Sequence, residues 1–529
     1  MASTLPPPEI VDVGTTTVDT PPPWVDRSFF GHPRGLATLF LTELWERFSF
    51  YGLRPLLVLF MSAALAQGGF GFARPQASAV VGIYAASVYL ASLPGGWVAD
   101  RLLGLRRAVL YGAVLITLGH LSIGLSGFAV SKMPFFLGLV LIVLGTGLLK
   151  PNASAMVGDL YPEGGARRDA GFSVFYMGIN SGAIVGQIVA GQLGEQVGWH
   201  WGFGIAGVGM LAGLITYAVR APRTLGTLGI APAQHPDPAV DAIRRAGAAR
   251  ALAAGVLVLA AAFALAAAGV VALDPQTIAK SMAYVLGATT VAYFAYLFTL
   301  GGLAPDERKR VLVIFLLFVF AAVFWAAFEQ APTSLNLFAK DFTDRRFFGH
   351  EVAASSFQSI NSIFVVLLAP VFAAVWERLG RAGRDLSAPA KFVLGLLFAA
   401  AGFGLMIVPA RALVATGGAL KVSALWLTAS YFFQSIGELC VSPVGLSSMT
   451  KLSPRRYVGQ MMGVWFLAIS VGNLIAGLVG GSVDPEKLAQ TPTLFLWTTV
   501  ALVVAAVALA ALVAPVRRML AGAEDAAPR

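Results

Sequence analysis

The sequence predicts an all-α membrane protein of fourteen transmembrane helices, built as two six-helix bundles with an extra helix pair inserted between them. Three observations carry this. The 529-residue chain is 57% hydrophobic and only 12% charged, a balance outside the range of soluble domains. Apolar runs long enough to cross about 30 Å of hydrocarbon recur along its whole length. The turns that close the second and tenth runs share one pattern, an acid-Arg pair, then Gly, then Arg: Asp100-Arg101-Leu102-Leu103-Gly104-Leu105-Arg106 and Glu377-Arg378-Leu379-Gly380-Arg381.

Taken in order, residues 1–33 are polar and rich in proline (Pro6, Pro7, Pro8, Pro21, Pro22 and Pro23). They lack the apolar core of a cleavable signal and read as a disordered cytoplasmic tail. The first bundle occupies residues 34–220, with runs at 34–63, 76–98, 106–127, 133–158, 167–193 and 200–220. Residues 221–308 form a linker with two further runs, 247–273 and 279–302, which carry almost no polar residues; setting them aside leaves two sets of six. The second bundle occupies residues 309–515, with runs at 309–340, 351–379, 389–410, 420–449, 456–482 and 491–515. Residues 516–529 are a short cytoplasmic tail. The match of Asp100 to Glu377 across the insertion makes the two sets repeats of one another. Repeats related by an axis along the membrane normal describe the major facilitator arrangement, which holds substrate at the midplane between its halves.

Charge sets the orientation. With a cytoplasmic N-terminus, the segments on that side hold 25 Lys and Arg residues and those on the other side nine. This is the positive-inside asymmetry, with both termini in the cytoplasm. It also accounts for the net charge of +10, so the partner expected is a lipid bilayer and not nucleic acid. Cys440, the only cysteine, lies in an apolar run, which excludes a disulfide framework or a thiolate metal site.

Three basic residues fall inside apolar runs: Arg47, Arg54 and Lys150, accompanied by Glu43, Glu46, Glu329 and Glu438. Seven charges facing lipid would cost about 20 kcal/mol, beyond a typical folding margin, so they must converge on a protein interior or a wet cavity. Fully ionised, they sum to a single negative charge, which one proton would neutralise. In the first run Glu43, Arg47, Phe50 and Arg54 share a helical stripe, with Glu46 beside it and Tyr51 on its flank. Without the inserted pair, the seven lie on helices one, four, seven and ten, each of which opens a three-helix group. Such a spacing has no obvious cause unless the charges share one site.

Three longer motifs then follow in order. The first is Glu43-Leu44-Trp45-Glu46-Arg47-Phe48-Ser49-Phe50-Tyr51-Gly52; the second is the Gly-rich run from Gly145 that ends in Lys150-Pro151-Asn152; the third is Phe175-Tyr176-Met177-Gly178-Ile179-Asn180-Ser181-Gly182. With Phe324-Trp325 to Glu329-Gln330, Gln358-Ser359-Ile360-Asn361, Gly437-Glu438 and Val464-Trp465-Phe466-Leu467, they make residues 34–515 closely resemble the bacterial proton-dependent oligopeptide transporter (POT/PTR) family of the major facilitator superfamily. The resemblance implies a proton-coupled symporter that imports di- and tripeptides by alternating access, a monomer in the bacterial inner (plasma) membrane. The extra helix pair is similar to the layout of bacterial members.

A short peptide is a zwitterion with an extended backbone and variable side chains, so its site must grip the ends and tolerate the middle. Arg54 and Lys150 are placed to meet the C-terminal carboxylate, and Glu438, in the other half, the N-terminal ammonium. The resemblance adds Asn361 near the amino end and Asn180 on a backbone group, and it gives Tyr51, Phe50, Tyr89, Trp325 and Trp465 as apolar walls. For proton coupling it points to Glu43, Glu46, Arg47, Lys150, Glu329 and Glu438, with Glu329 in reach of Arg54 across the halves.

Two departures from the family pattern make the pocket more apolar: Phe50 stands where the family has its first tyrosine, and Leu439 where many members carry a small polar residue. Other readings are a proton-coupled carrier of another anionic or zwitterionic solute, such as nitrate or a peptide-like drug, a membrane-embedded hydrolase, or a peptide sensor. No His-Glu-x-x-His, metal spacing, phosphate loop or Ser/His arrangement supports an enzyme, so neither metal nor cofactor is expected. His120 lies alone in the third run and reads as a packed histidine.

Overall fold

A computed structural model of the chain describes residues 25–128, 131–163, 165–234, 236–270 and 274–524. The first bundle consists of α1 (Arg34–Ser62), α2 (Arg74–Val98), α3 (Leu105–Leu125), α4 (Met133–Asp159), α5 (Gly165–Gln192) and α6 (Trp199–Thr224). The inserted pair is α7 (Pro238–Ala267) and α8 (Pro275–Thr299). The second bundle consists of α9 (Pro305–Phe328), α10 (Asn336–Phe342), α11 (Ser359–Arg381), α12 (Ala388–Ala415), α13 (Leu425–Leu452), α14 (Val458–Gly480) and α15 (Gln490–Glu524). Twelve of the described helical segments, with α9 and α10 taken as one, are long and apolar enough to cross a membrane. The two long helices outside that set, α1 and α13, are the ones that hold Glu43, Glu46, Arg47, Arg54 and Glu438.

The structure corrects the sequence reading at four places. The single run expected at 309–340 is broken: α9 stops at Phe328, a wide turn spans Ala331–Leu335, and α10 resumes at Asn336. Pro332 explains the break, since it has no N–H to give to the Phe328 carbonyl. The run expected at 351–379 becomes helical only at Ala354, and α15 continues through most of the expected C-terminal tail to Glu524. Residues 25–33, expected to be disordered, pack against the bundle, and the rest of that tail lies outside the described residues. Asp26 accepts from the backbone of Ser28 and Arg34, and His32 Nδ1 lies 2.8 Å from the Tyr161 hydroxyl. Burial, with Arg167 nearby, holds His32 below its ordinary pKa, so at neutral pH the ring can accept that hydroxyl proton. Four two-residue strands lie in the loops around α10: β1 (Thr343–Asp344) pairs in parallel with β4 (Val422–Ser423), and β2 (Arg346–Phe347) pairs antiparallel with β3 (His350–Glu351).

The two bundles repeat one packing scheme. In the first, α1 lies on α5 and α6, α3 on α4 and α6, and α2 on α4; in the second, α9 lies on α14 and α15, α12 on α13 and α15, and α11 on α13. Lipid gives no hydrophobic drive between helices, so contact depends on close backbone approach at small residues. On α5, Gly178, Gly182 and Gly186 form a four-residue ridge that meets α1 at Phe40, Leu44 and Phe48. A Cβ at Gly182 would overlap the Leu44 carbonyl and press on Arg47 Cβ. Gly182→Leu is therefore expected to weaken the fold by at least about 1–3 kcal/mol. The measurement is the thermal midpoint in detergent; an unchanged midpoint would show that α1 can move away from α5 without loss.

The halves meet where α2 packs on α14 and α5 on α11. At the first contact Gly82 and Gly477 touch through their backbones. Helix α8 rests on both sides of this seam, with Ala279 packed among Ala79 and Ala86 of α2 and Leu474 of α14. Helix α7 buries almost none of its apolar surface.

Candidate functional site

The ridge on α5 fixes the height of α1, and with it the first ion cluster. Glu43, Glu46 and Arg47 are all at most 2% exposed. Arg47 Nε lies 3.0 Å from Glu43 Oε1 and is also paired with Glu46, whose other oxygen faces Thr146 Oγ1 of α4 at 3.5 Å. The Arg47 guanidinium stands 5.3 Å from the Phe50 ring, which also contacts Tyr51 and stacks on Tyr84. Phe50 is thus sealed in a stack, whereas Tyr51 keeps some accessible surface.

Seven residues further along α1, Arg54 crosses to the other half. Its Nη2 donates to Glu329 Oε2 and, at 2.7 Å, to Asn473 Oδ1 of α14. Glu329 is free to turn toward Arg54 because it caps α9 at the break. Pro55 follows Arg54, and Asn336, at the start of α10, donates to the Pro55 carbonyl at 2.7 Å. A single break therefore supplies two links between the halves.

On α4, Pro151 removes one rung of the helical ladder and the Asn152 side chain donates to the Leu148 carbonyl at 2.6 Å, which holds the turn around Lys150. Lys150 Nζ stands 4.4 Å from the Tyr89 ring centroid. Among the described residues no carboxylate lies within ion-pair distance of Lys150, although it is in Coulombic range of Arg47, Glu46, Glu43 and Glu329. Glu438 is its counterpart on α13. No cation pairs with it among the described residues, and it accepts from Asn361 Nδ2 at 3.3 Å; the same amide donates to Ser435 Oγ at 2.9 Å. Lys150, Tyr51, Tyr89 and Glu438, within their helices, and Asn361, in the first turn of α11, all retain accessible surface.

The remaining expected residues make no hydrogen bond or ion pair with these groups among the described residues. Asn180 donates to the Tyr176 carbonyl on its own helix at 3.0 Å. Trp325 and Trp465 are buried in the second bundle: Trp325 packs on Phe328 and on α14 at Gly472, and Trp465 packs on Phe392 and on α13 at Gly445. His120 is buried, and neither ring nitrogen has a partner among the described residues.

Sequence reasoning missed Asn473, although a lone Asn in apolar α14 is the kind of intramembrane polar residue that signals function. It also counted Arg74, Lys340 and Arg345 only as loop charges. They build a latch instead: Arg74 pairs with Asp341 and donates to the Val483 carbonyl at 2.9 Å, while Glu195, in the wide turn Leu193–Val197 after α5, meets Lys340 at 3.1 Å and Arg345 at 3.8 Å. All of these join the halves at the end where α1 finishes and α2 begins. Among the described residues, no ion pair joins the halves at the opposite end.

The arrangement is a pair of bundles tied together at one end, with a cation on α4 of the first and an anion on α13 of the second, neither in an ion pair among the described residues. Comparison with known proteins gives a consistent setting. A profile of the POT family matches residues 106–493. The chain is 50% identical to the peptide transporter YePEPT of Yersinia enterocolitica subsp. palearctica, over 93% of this chain and 96% of that one. It is 38% identical to a di-/tripeptide transporter of Lactococcus lactis subsp. cremoris, over 85% and 89% of the two chains. A crystal structure of a peptide transporter POT in complex with sulfate superposes with a TM-score of 0.85 at 39% identity, covering 94% of this chain and 97% of that one.

Proposed function

We propose, from the premise that this chain belongs to the POT family, that it is a proton-coupled symporter that imports di- and tripeptides by alternating access. The observation that carries this reading is that Lys150 and Glu438, on helices of different halves, each lack an ion-pair partner among the described residues. A zwitterion supplies both missing charges at once. The peptide carboxylate binds Lys150 and competes for Arg54, and the ammonium binds Glu438 beside Asn361. Tyr51 and Tyr89 line the middle of the peptide, and Asn180, with an amide oxygen to spare, meets its backbone. The aromatic rings of Phe50, Trp325 and Trp465 support the pocket walls from behind.

The proton enters the Glu43, Glu46 and Arg47 cluster or Glu329. With both termini in the cytoplasm, the end tied by Arg54 to Glu329 and by the latch around Glu195 is the outer one. Charge removed from a glutamate, or a peptide carboxylate delivered to Lys150 and Arg54, changes which ion pairs can form, and the halves rock in response. Residues 34–220 and 309–515 are the two moving bodies, and residues 221–308 carry the accessory pair. The protein works as a monomer in the bacterial inner membrane, with both termini in the cytoplasm, and leaves the peptide chemically unchanged.

Liposomes with an alkaline interior test this with the wild-type protein. Labelled dialanine is expected to accumulate only with the gradient, and unlabelled dialanine to compete more strongly than dialanine acetylated at the amine or amidated at the carboxyl. Equal competition by the blocked peptides, or accumulation without a gradient, would overturn the reading.

A further inference from the structure

We infer that Asn473 is a positioning residue that keeps Arg54 on the second bundle while Glu329 carries a proton. The inference rests on the proton-coupling reading of Glu329. Asn473 is 1% exposed, and its amide is oriented by its own helix: Nδ2 donates to the Ile469 carbonyl at 2.9 Å, so Oδ1 points at Arg54 Nη2, 2.7 Å away. It cannot withdraw easily. Its backbone carbonyl lies where a Cβ on Gly82 of α2 would come within 2.8 Å, so α14 is held against the first bundle at this residue.

Glu329 and Asn473 share one guanidinium nitrogen but differ in kind. The carboxylate attracts Arg54 as a full charge only when ionised and keeps no more than a neutral acceptor oxygen when protonated, whereas the amide oxygen accepts alike at any pH. The charged and titratable groups in range of Glu329 are Arg54 and Tyr51 of α1, Tyr89 of α2, Lys150 of α4 and Glu438 of α13. Among them only Arg54 bonds it directly. When Glu329 is protonated the ion pair across the halves is therefore lost, and Arg54 is held there by neutral oxygens, of which Asn473 Oδ1 is the one already oriented by its own helix. The two acceptors also sit on different helices, the end of α9 and the middle of α14, so one arginine ties three helices at the outer closure.

The test needs no peptide. Spin labels at exposed Leu65 and Leu420, on outer loops of the two halves, report outer closure by pulsed electron resonance, and Cys440 is buried. Wild type is expected to keep its closed distance from neutral to acid pH. Asn473→Leu is expected to be closed at neutral pH and to gain roughly tenfold in open population on acidification; Asn473→Asp, which keeps the oxygen, is expected to behave as wild type. An Asn473→Leu distribution that ignores pH, whether closed or open throughout, would overturn the inference, because a merely structural residue would act alike in both states of Glu329. If Asn473→Leu does not fold, Glu329→Gln is compared with Glu329→Gln/Asn473→Asp. The new carboxylate is expected to raise the closed population, and no change would overturn the inference. Failure of dialanine to accumulate would count against the peptide reading and leave this measurement standing.

Discussion

Lys150→Ala is expected to lower proton-driven dialanine uptake by about 100-fold or more, the largest effect of any single substitution in the site. Arg47 and Arg54 are both committed to glutamates, so of the three cations Arg47, Arg54 and Lys150 only Lys150 has, among the described residues, no carboxylate to release before it can bind another. A hydrogen bond to a charged group contributes about 1.5–3 kcal/mol, and with the attraction of the full charge in a partly desolvated space the loss is at the upper end of that range. Lys150→Arg is expected to restore the charge but only part of the rate. A planar guanidinium cannot sit over Tyr89 and meet a carboxylate with the geometry of a compact ammonium. Uptake into liposomes with an alkaline interior is the measurement, and wild-type rates from Lys150→Ala would remove this residue from the site.

Glu329→Gln is expected to separate binding from coupling. The amide is nearly the size of the carboxylate and still offers Arg54 an oxygen, so the break after Phe328 and the packing around it stay in place. Its charge no longer responds to protons. Accumulation driven by the gradient is expected to fall by about tenfold or more, while exchange of labelled for unlabelled dialanine across the membrane, which needs no net proton movement, continues near the wild-type rate. Full gradient-driven accumulation by Glu329→Gln would take this glutamate out of the coupling scheme.

Much of this was legible in the sequence because insertion in a membrane penalises polar groups so strongly. A run of apolar residues long enough to cross has few alternatives, which is why the passages of α1 to α6 and of α8 were found close to their places, whereas α7 begins at Pro238 and not at 247. The same penalty made Glu43, Arg47, Arg54, Lys150, Glu329 and Glu438 stand out, and the Arg54–Glu329 pair expected across the halves is formed. What escaped depends on three-dimensional partnership. Nothing in the order of residues says that Glu195 will meet Lys340 and Arg345, because both sides lie at helix ends where charge is cheap and common. Asn473 escaped because it is uncharged and belongs to none of the motifs. The broken helix at Glu329 was read as continuous because the apolar pattern runs straight through Pro332, and the position of that proline relative to the Phe328 carbonyl decides the matter.

The contact under α8 bears on how such a carrier can move at all. If the halves tilt against each other, a helix lying across their joint cannot follow both, and one of its flanks must shear. The fully buried residues that meet there are Ala79, Ala86, Ala279 and Leu474, and the larger side chains of Ile83, Met282, Leu286 and Leu478 pack around them. Helix α8 can therefore glide along one neighbour only if these longer side chains change rotamer, and the small alanine patch at the centre is where that movement meets least resistance.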